Sequence, residues 1–194
     1  MKLLPLLLVS AWAFAAQALT LGEARAILKN APRLGGHVGS IALNGYLDHR
    51  EIDIGRGVRV IAVIVQGGGG LLAFDASGRE LGERPTKEIT WWQVFDFEGH
   101  GQSAVITEEI VAYGTGLLGK EFRIYRVSPP NIALLWSGES FFRNINVTPR
   151  QYRRSFLRFD YQTVGTLTWL HETDRGTRTT TVLRFKGGRF VSPR

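Results

Sequence analysis

Arg59-Val60-Ile61-Ala62-Val63-Ile64-Val65 and the stretch behind it, Gln66, Gly67–Gly70 and Leu71-Leu72-Ala73-Phe74-Asp75-Ala76-Ser77-Gly78, decide the fold. β-Branched side chains crowd a helix but suit a pleated strand. An almost uninterrupted apolar run predicts a strand covered on both faces. The four glycines are expected to break it, and Leu71–Phe74 to resume as a second strand. Asp75-Ala76-Ser77-Gly78 then supplies turn chemistry before Arg79-Glu80-Leu81.

The same alternation of strand and turn runs outward to the C-terminus. Further strands are expected over Ile89–Phe97, Ala104–Ala112, Glu121–Val127 and Ile132–Trp136. From Phe156 to Tyr161 the pattern is strict: Leu157, Phe159 and Tyr161 fall on one face, Arg158 and Asp160 on the other. Thr177–Phe185 is β-prone, and Lys186-Gly187-Gly188-Arg189 reads as a tight hairpin turn into Phe190-Val191. Ser128-Pro129-Pro130-Asn131 and the polar run Arg143–Arg154 read as connections or edge insertions. The expected class is all-β: an antiparallel meander, an open barrel or incomplete propeller-like sheets.

One short helix is expected before the strands, over about 21–30. Thr20 and Glu23 have the spacing of a capping box, Leu21, Ala24, Ile27 and Leu28 recur at helical spacing, and Asn30-Ala31-Pro32 stops the run. Ahead of it, Met1-Lys2, the apolar Leu3–Ala16 and the small-x-small Ala16-Gln17-Ala18 have the layout of a secretory signal peptide. The apolar run falls short of the ~20 residues of a membrane span. Residues 1–18 are therefore expected to be removed, leaving 19–194 as a single β-rich domain without a transmembrane segment. The expected location is periplasmic or extracellular, in a bacterium.

The chain has no cysteine, which excludes disulfides, thiol chemistry and cysteine-held metal. Charge is uneven. Residues 1–119 carry 10 Lys and Arg against 12 Asp and Glu, a net of −2, whereas residues 120–194 carry 14 against 5, a net of +9. A basic half attracts anionic partners. Within it, Arg150, Tyr152, Arg153, Arg154 and Arg158 mix arginine with aromatic side chains, a combination suited to stacking and anion contact. The plainer reading of this segment is an edge strand whose charged outer row blocks aggregation.

Leu71–Leu81, an apolar strand ending in an Asp-x-x-Gly turn, resembles the hairpin of quinoprotein-type β-propeller blades. Asp96-Phe97-Glu98-Gly99-His100-Gly101-Gln102-Ser103-Ala104-Val105 resembles the calcium loop of FG-GAP or VCBS propeller repeats. The likeness extends over about Thr90–Val127. It implies a local strand–turn–strand shape, with Asp96 and Glu98 as the first two oxygen ligands. His100 and Ala104 stand where the family places its further acids. Calcium takes six to eight oxygens, so a turn that has lost its metal is expected, and no cofactor.

No nucleophile elbow, zinc pattern or phosphate loop is present. Glu108 and Glu109 are adjacent, so a strand sends them to opposite faces and they do not share a site. The acids read as turn caps and solvated-face groups. Two functions stay open. The first is an exported, non-catalytic binding or structural module of the envelope or extracellular space, with a protein or anionic envelope polymer as partner and no specific nucleic acid. The second is a hydrolase of envelope polymer whose site, assembled from distant acids such as Glu98 or Glu109, no spacing rule reveals.

Overall fold

A computed structural model describes residues 48–53, 58–65, 68–97, 103–160 and 163–192, together with Gly22. The expected signal peptide and, apart from Gly22, the expected helix lie outside the described residues. Those described form twelve strands in chain order. β1 (Asp48–Asp53), β2 (Val58–Val65), β3 (Gly68–Asp75) and β4 (Glu80–Thr86) make one sheet. β5 (Glu88–Asp96), β6 (Ser103–Gly114), β7 (Leu117–Ser128), β8 (Asn131–Asn144), β9 (Gln151–Phe159), β10 (Thr166–Thr173), β11 (Arg178–Lys186) and β12 (Arg189–Val191) make the other. Every paired strand is antiparallel to its chain neighbour, and β5 and β12 end the larger sheet without pairing to each other. The fold is an antiparallel meander, not a closed barrel. No helix among the described residues is long and apolar enough to cross a membrane.

The glycine run does not break the sheet as expected. Gly68, Gly69 and Gly70 open β3, pairing with Val65, Ile64 and Val63 on one side, while Gly69 and Gly70 also pair with Thr86 and Pro85 on the other. All three are buried. Pairing on both sides holds glycine extended despite its conformational entropy. The Asp75 turn forms as read. Its carboxylate accepts from the Ser77 hydroxyl at 2.5 Å, the Ser77 N–H at 2.9 Å and the Arg79 N–H at 3.1 Å. These bonds, Ser77 foremost, hold the carboxyl below the usual carboxylate range. The polar run Arg143–Arg154 is half strand, with residues 145–150 alone forming the connection. β8 extends to Asn144 and β9 begins at Gln151, because Phe141, Phe142 and Tyr152 carry the apolar alternation through the arginines.

Two cores explain why β5–β8 read as they do. Val60, Leu71 and Ala73 of the small sheet pack with Ile89, Trp92, Val105, Tyr125, Val127 and Ile132. On the other face, Phe95, Phe97, Ala104, Ile106, Ile124 and Leu135 pack with Leu167, Leu183 and Phe190. Ala104 and Val105, like Ile124 and Tyr125, are adjacent, so alternation delivers them to opposite cores. The larger sheet must therefore fold back on itself, making β5–β8 a middle layer covered on both sides. The fold-back coincides with irregular pairing along β8, which shifts register between Lys120 and Glu121 of β7 and pairs with β9 only over Phe141–Asn144. Stacked aromatics close the second core: Phe95 on Phe159 at 4.0 Å, and Phe97 against Phe185 and Phe190 at 4.6 and 5.4 Å.

β4 adds a close contact to the packing made by β2 and β3. Buried Gly82 meets the β7–β8 turn so closely that a Cβ would lie 2.9 Å from the Pro130 carbonyl carbon. Beside it, Arg84 donates to the Ile132 carbonyl at 3.4 Å and lies over the Tyr125 ring at 5.9 Å.

Candidate functional site

The expected site residues fall around β9, and strand alternation divides them. Tyr152, Arg154 and Arg158 share its exposed face, and Arg150 is exposed just before it. Arg153 points the other way. It forms a two-pronged pair with Glu139, Nε to Oε1 and Nη2 to Oε2, each at 2.8 Å. The bonded Glu139 carboxylate holds the guanidinium even more firmly protonated than usual. Its plane also covers the Phe142 ring at 4.1 Å. Sequence reasoning grouped Arg153 with Arg154 because they are neighbours, which is the reason they separate.

Cross-strand register builds a continuous surface from the exposed set. Arg143 faces Tyr152, and Phe141 faces Arg154. Arg154, Phe156 and Arg158 face Glu172, Leu170 and Thr168. The row continues into Arg178, Thr180, Val182 and Arg184 of β11. Arginine and apolar side chains are interleaved. Arg154 lies over Phe156 at 4.3 Å, and Phe141 meets Tyr152 edge-on at 5.4 Å. Tyr152, Phe156 and Val182 remain 42%, 41% and 37% exposed. On these strands Glu172 is the single acid of the face, and it is engaged by Arg178 at 3.1 Å. Arg143, Arg158 and Arg184, which the sequence reading did not group in full, have no acidic partner among the described residues. Recognising them together required the register of four strands.

The inner face of the same strands carries a group that superficially invites a catalytic reading. The Ser155 hydroxyl is 2.8 Å from His171 Nδ1, and Glu139 Oε1 is 4.0 Å from that same nitrogen. A nucleophilic relay places hydroxyl and carboxylate on opposite ring nitrogens, so that one accepts the proton while the other orients the ring. Here both crowd one nitrogen, Ser155 is buried, and Arg153 occupies the carboxylate. The group is arranged as packing polar contacts at the end of the second core.

Glu108 and Glu109 do separate to opposite faces. The sequence reading of both as solvated or turn-capping acids is corrected by Glu109, which is fully buried under the small sheet. Thr107 and Tyr125 hydroxyls donate to its Oε1, each at 2.7 Å. The Lys87 N–H and Arg123 Nη1 donate to its Oε2 at 2.9 and 3.0 Å. Every near lone pair is used, which is what keeps a buried carboxylate tolerable. Burial, then the Glu109 charge, pushes the Tyr125 phenol well above its ordinary range. Glu108, on the other face, is drawn down despite burial, because Thr90, Lys120 and Ser140 all bond it.

Asp96 ends β5, and Glu98 and His100 lie outside the described residues. No cluster of three or more His, Asp or Glu able to hold a metal occurs among those described. Arginines interleaved with exposed aromatic rings, rather than a cleft of converging acids, are therefore the most distinctive chemistry of the described residues. No protein-family model, curated protein or solved structure matches this chain.

Proposed function

We propose that the protein is an exported, non-catalytic binding module of the cell envelope or extracellular space, engaging an anionic polymer through the outer face of β8–β11. One observation carries the reading: cross-strand register aligns Arg143, Arg154, Arg158 and Arg184 with exposed Tyr152 and Phe156, with Glu172 as the only acid that these strands place on that face. Guanidinium groups reach carboxylate or phosphate oxygens in a fixed fork, and the rings between them supply flat apolar contact for sugar faces. The N-terminal signal-like stretch supports export. The alternative hydrolase reading loses one of its named acids, since Glu109 has no path to a substrate while buried and bonded on both oxygens.

Exchanging Arg154 and Arg158 for glutamate is expected to weaken binding to a soluble polyuronate or poly(glycerol phosphate) by at least about tenfold. Wild-type binding should itself fall steeply with salt, because exposed charges are screened beyond ~8 Å at physiological ionic strength. Equal affinity and salt dependence in the two proteins, measured by titration calorimetry, would sink this proposal.

The reading needs no cofactor, and the ligand count argues against calcium at Asp96 and Glu98. Calcium is thus expected to leave the melting temperature unchanged. A rise that an Asp96→Ala, Glu98→Ala double variant abolishes would restore the metal.

A further inference from the structure

The longest strands end in a tip that borders the outer face, where register lines up Tyr113 and Leu118 with Arg143 and Tyr152. The β6–β7 hairpin and the β8–β9 connection are tied together there. The Ile145 N–H donates to the Gly116 carbonyl at 2.9 Å, and Asn146 Nδ2 donates to the Thr115 carbonyl at 2.6 Å. The Asn146 N–H in turn donates to Asn144 Oδ1 at 3.0 Å. Gly116 has φ 76°, a conformation that favours glycine, and a Cβ on it would displace the Asn146 side chain, whose Oδ1 lies 2.6 Å away. The tip is thus a built protrusion of two loops.

What it presents is apolar. Tyr113 is 84% exposed, Ile145 49%, and Val111 and Val147 37% each. Val111 stands at a register shift between Ile110 and Ala112, which accounts for its facing solvent. The two segments that build the tip, 110–120 and 141–153, contain no acid and carry Lys120, Arg143, Arg150 and Arg153; Lys120 and Arg153 are paired with Glu108 and Glu139, which leaves the exposed Arg143 and Arg150 as the tip's cations. Asp174, in the next turn, bonds the Tyr152 carbonyl through its N–H and is followed by Arg175.

Exposed aliphatic side chains beside a tyrosine, flanked by the exposed Arg143 and Arg150, match the two layers of an anionic lipid surface. The apolar groups suit the acyl boundary, tyrosine suits the interface, and guanidinium groups suit the phosphates. We propose that this tip is a membrane-docking site that inserts Tyr113, Ile145 and Val147 into an anionic bilayer surface. A soluble polyanion satisfies the arginines but offers nothing to the aliphatic side chains, so the geometry favours lipid. The inserting side chains Tyr113, Ile145 and Val147 are not part of the outer-face reading, although Arg143 is common to both.

The absence of cysteine makes a clean test possible, because a single introduced thiol is labelled uniquely. The full chain carrying Ile145→Cys, and a control carrying Ala76→Cys on the remote β3–β4 turn, are each labelled with an environment-sensitive fluorophore. They are then titrated with vesicles of equimolar phosphatidylglycerol and phosphatidylcholine. The expected result is a blue shift and brightening at position 145 alone, absent with pure phosphatidylcholine. Adding Tyr113→Ser and Val147→Ser should weaken the response about tenfold while leaving the circular dichroism spectrum intact. No response at 145, an equal response at 76, the same response to soluble polyphosphate, or full binding by the serine variant would overturn the proposal. Because the probe reports local insertion, binding through the apolar N-terminal stretch does not imitate it.

Discussion

Replacing Glu109 by alanine is expected to cost roughly 3–5 kcal/mol of folding stability, the range for breaking a buried ion pair from one side. The loss has several sources. Arg123 keeps its charge but loses the carboxylate that compensated its burial, and the Thr107 hydroxyl, the Tyr125 hydroxyl and the Lys87 N–H lose their acceptor together. Glu121, which also bonds Arg123 at 3.1 Å, retains the guanidinium and limits the damage. A fall in denaturation midpoint at constant slope would register the effect, and a change under about 1 kcal/mol would contradict this account of the cluster. Tyr125→Phe should cost less, about 1–2 kcal/mol, since it removes one donor from an otherwise satisfied carboxylate. It should also change the alkaline limb. The folded-state phenol titrates above its ordinary value of about 10, so its contribution is complete below that value and is lost as pH rises toward the folded one. Wild type should lose stability in that window, and the phenylalanine variant should lose less.

Gly82→Val is expected to separate the small sheet from the middle layer. A Cβ already collides with the Pro130 backbone, which has no side-chain rotamer through which to yield, and valine adds two methyl groups. Overpacking of this kind costs about 1–3 kcal/mol and more where backbone must move. Here the moving piece carries Leu71 and Ala73 away from Trp92 and Tyr125. The expected signature is a melting temperature lower by roughly 10 °C, with binding of a hydrophobic dye before the main transition. A variant that melts as wild type would mean that the β4 contact does not hold the sheets together.

What the sequence discloses about this fold depends on how far each signal reaches. The alternation in Phe156–Phe159 is local and gave the right faces, with Leu157 turned inward and Arg158 outward. Asp75–Gly78 also acts within four residues. The glycine run misled because glycine's preference for turns is a property of an isolated segment, whereas Gly69 and Gly70 are also held from the far side by Thr86 and Pro85 of β4, which a local window does not contain. Glu109 misled for a related reason. Alternation showed that it faces away from Glu108, but that its side is roofed by a second sheet depends on residues far along the chain. One trace was available: Thr107 and Glu109 alternate on one face of β6, and the β7 register that sets Thr107 opposite Arg123 and Val105 opposite Tyr125 puts both donors on that same face. The candidate face was half legible. Tyr152, Arg154 and Arg158 follow from period two, whereas Arg143 and Arg184 join them only through register across β8–β11.

A sheet order that copies the order of the chain also governs how the molecule assembles. No described strand waits for a distant partner, so each hairpin closes a short loop and the entropy of loop closure stays small at every step. Among all-β proteins, slow folding comes chiefly from pairings distant in sequence, and this chain has arranged its hydrogen-bonded partners without them. The long-range steps that remain are dockings of preformed surfaces: β1–β4 onto β5–β8, and β9–β12 folding back over the other side. The expected sequence of events is therefore hairpins first and layers second, a route a chain can begin from its N-terminal strands while the remainder is still being delivered.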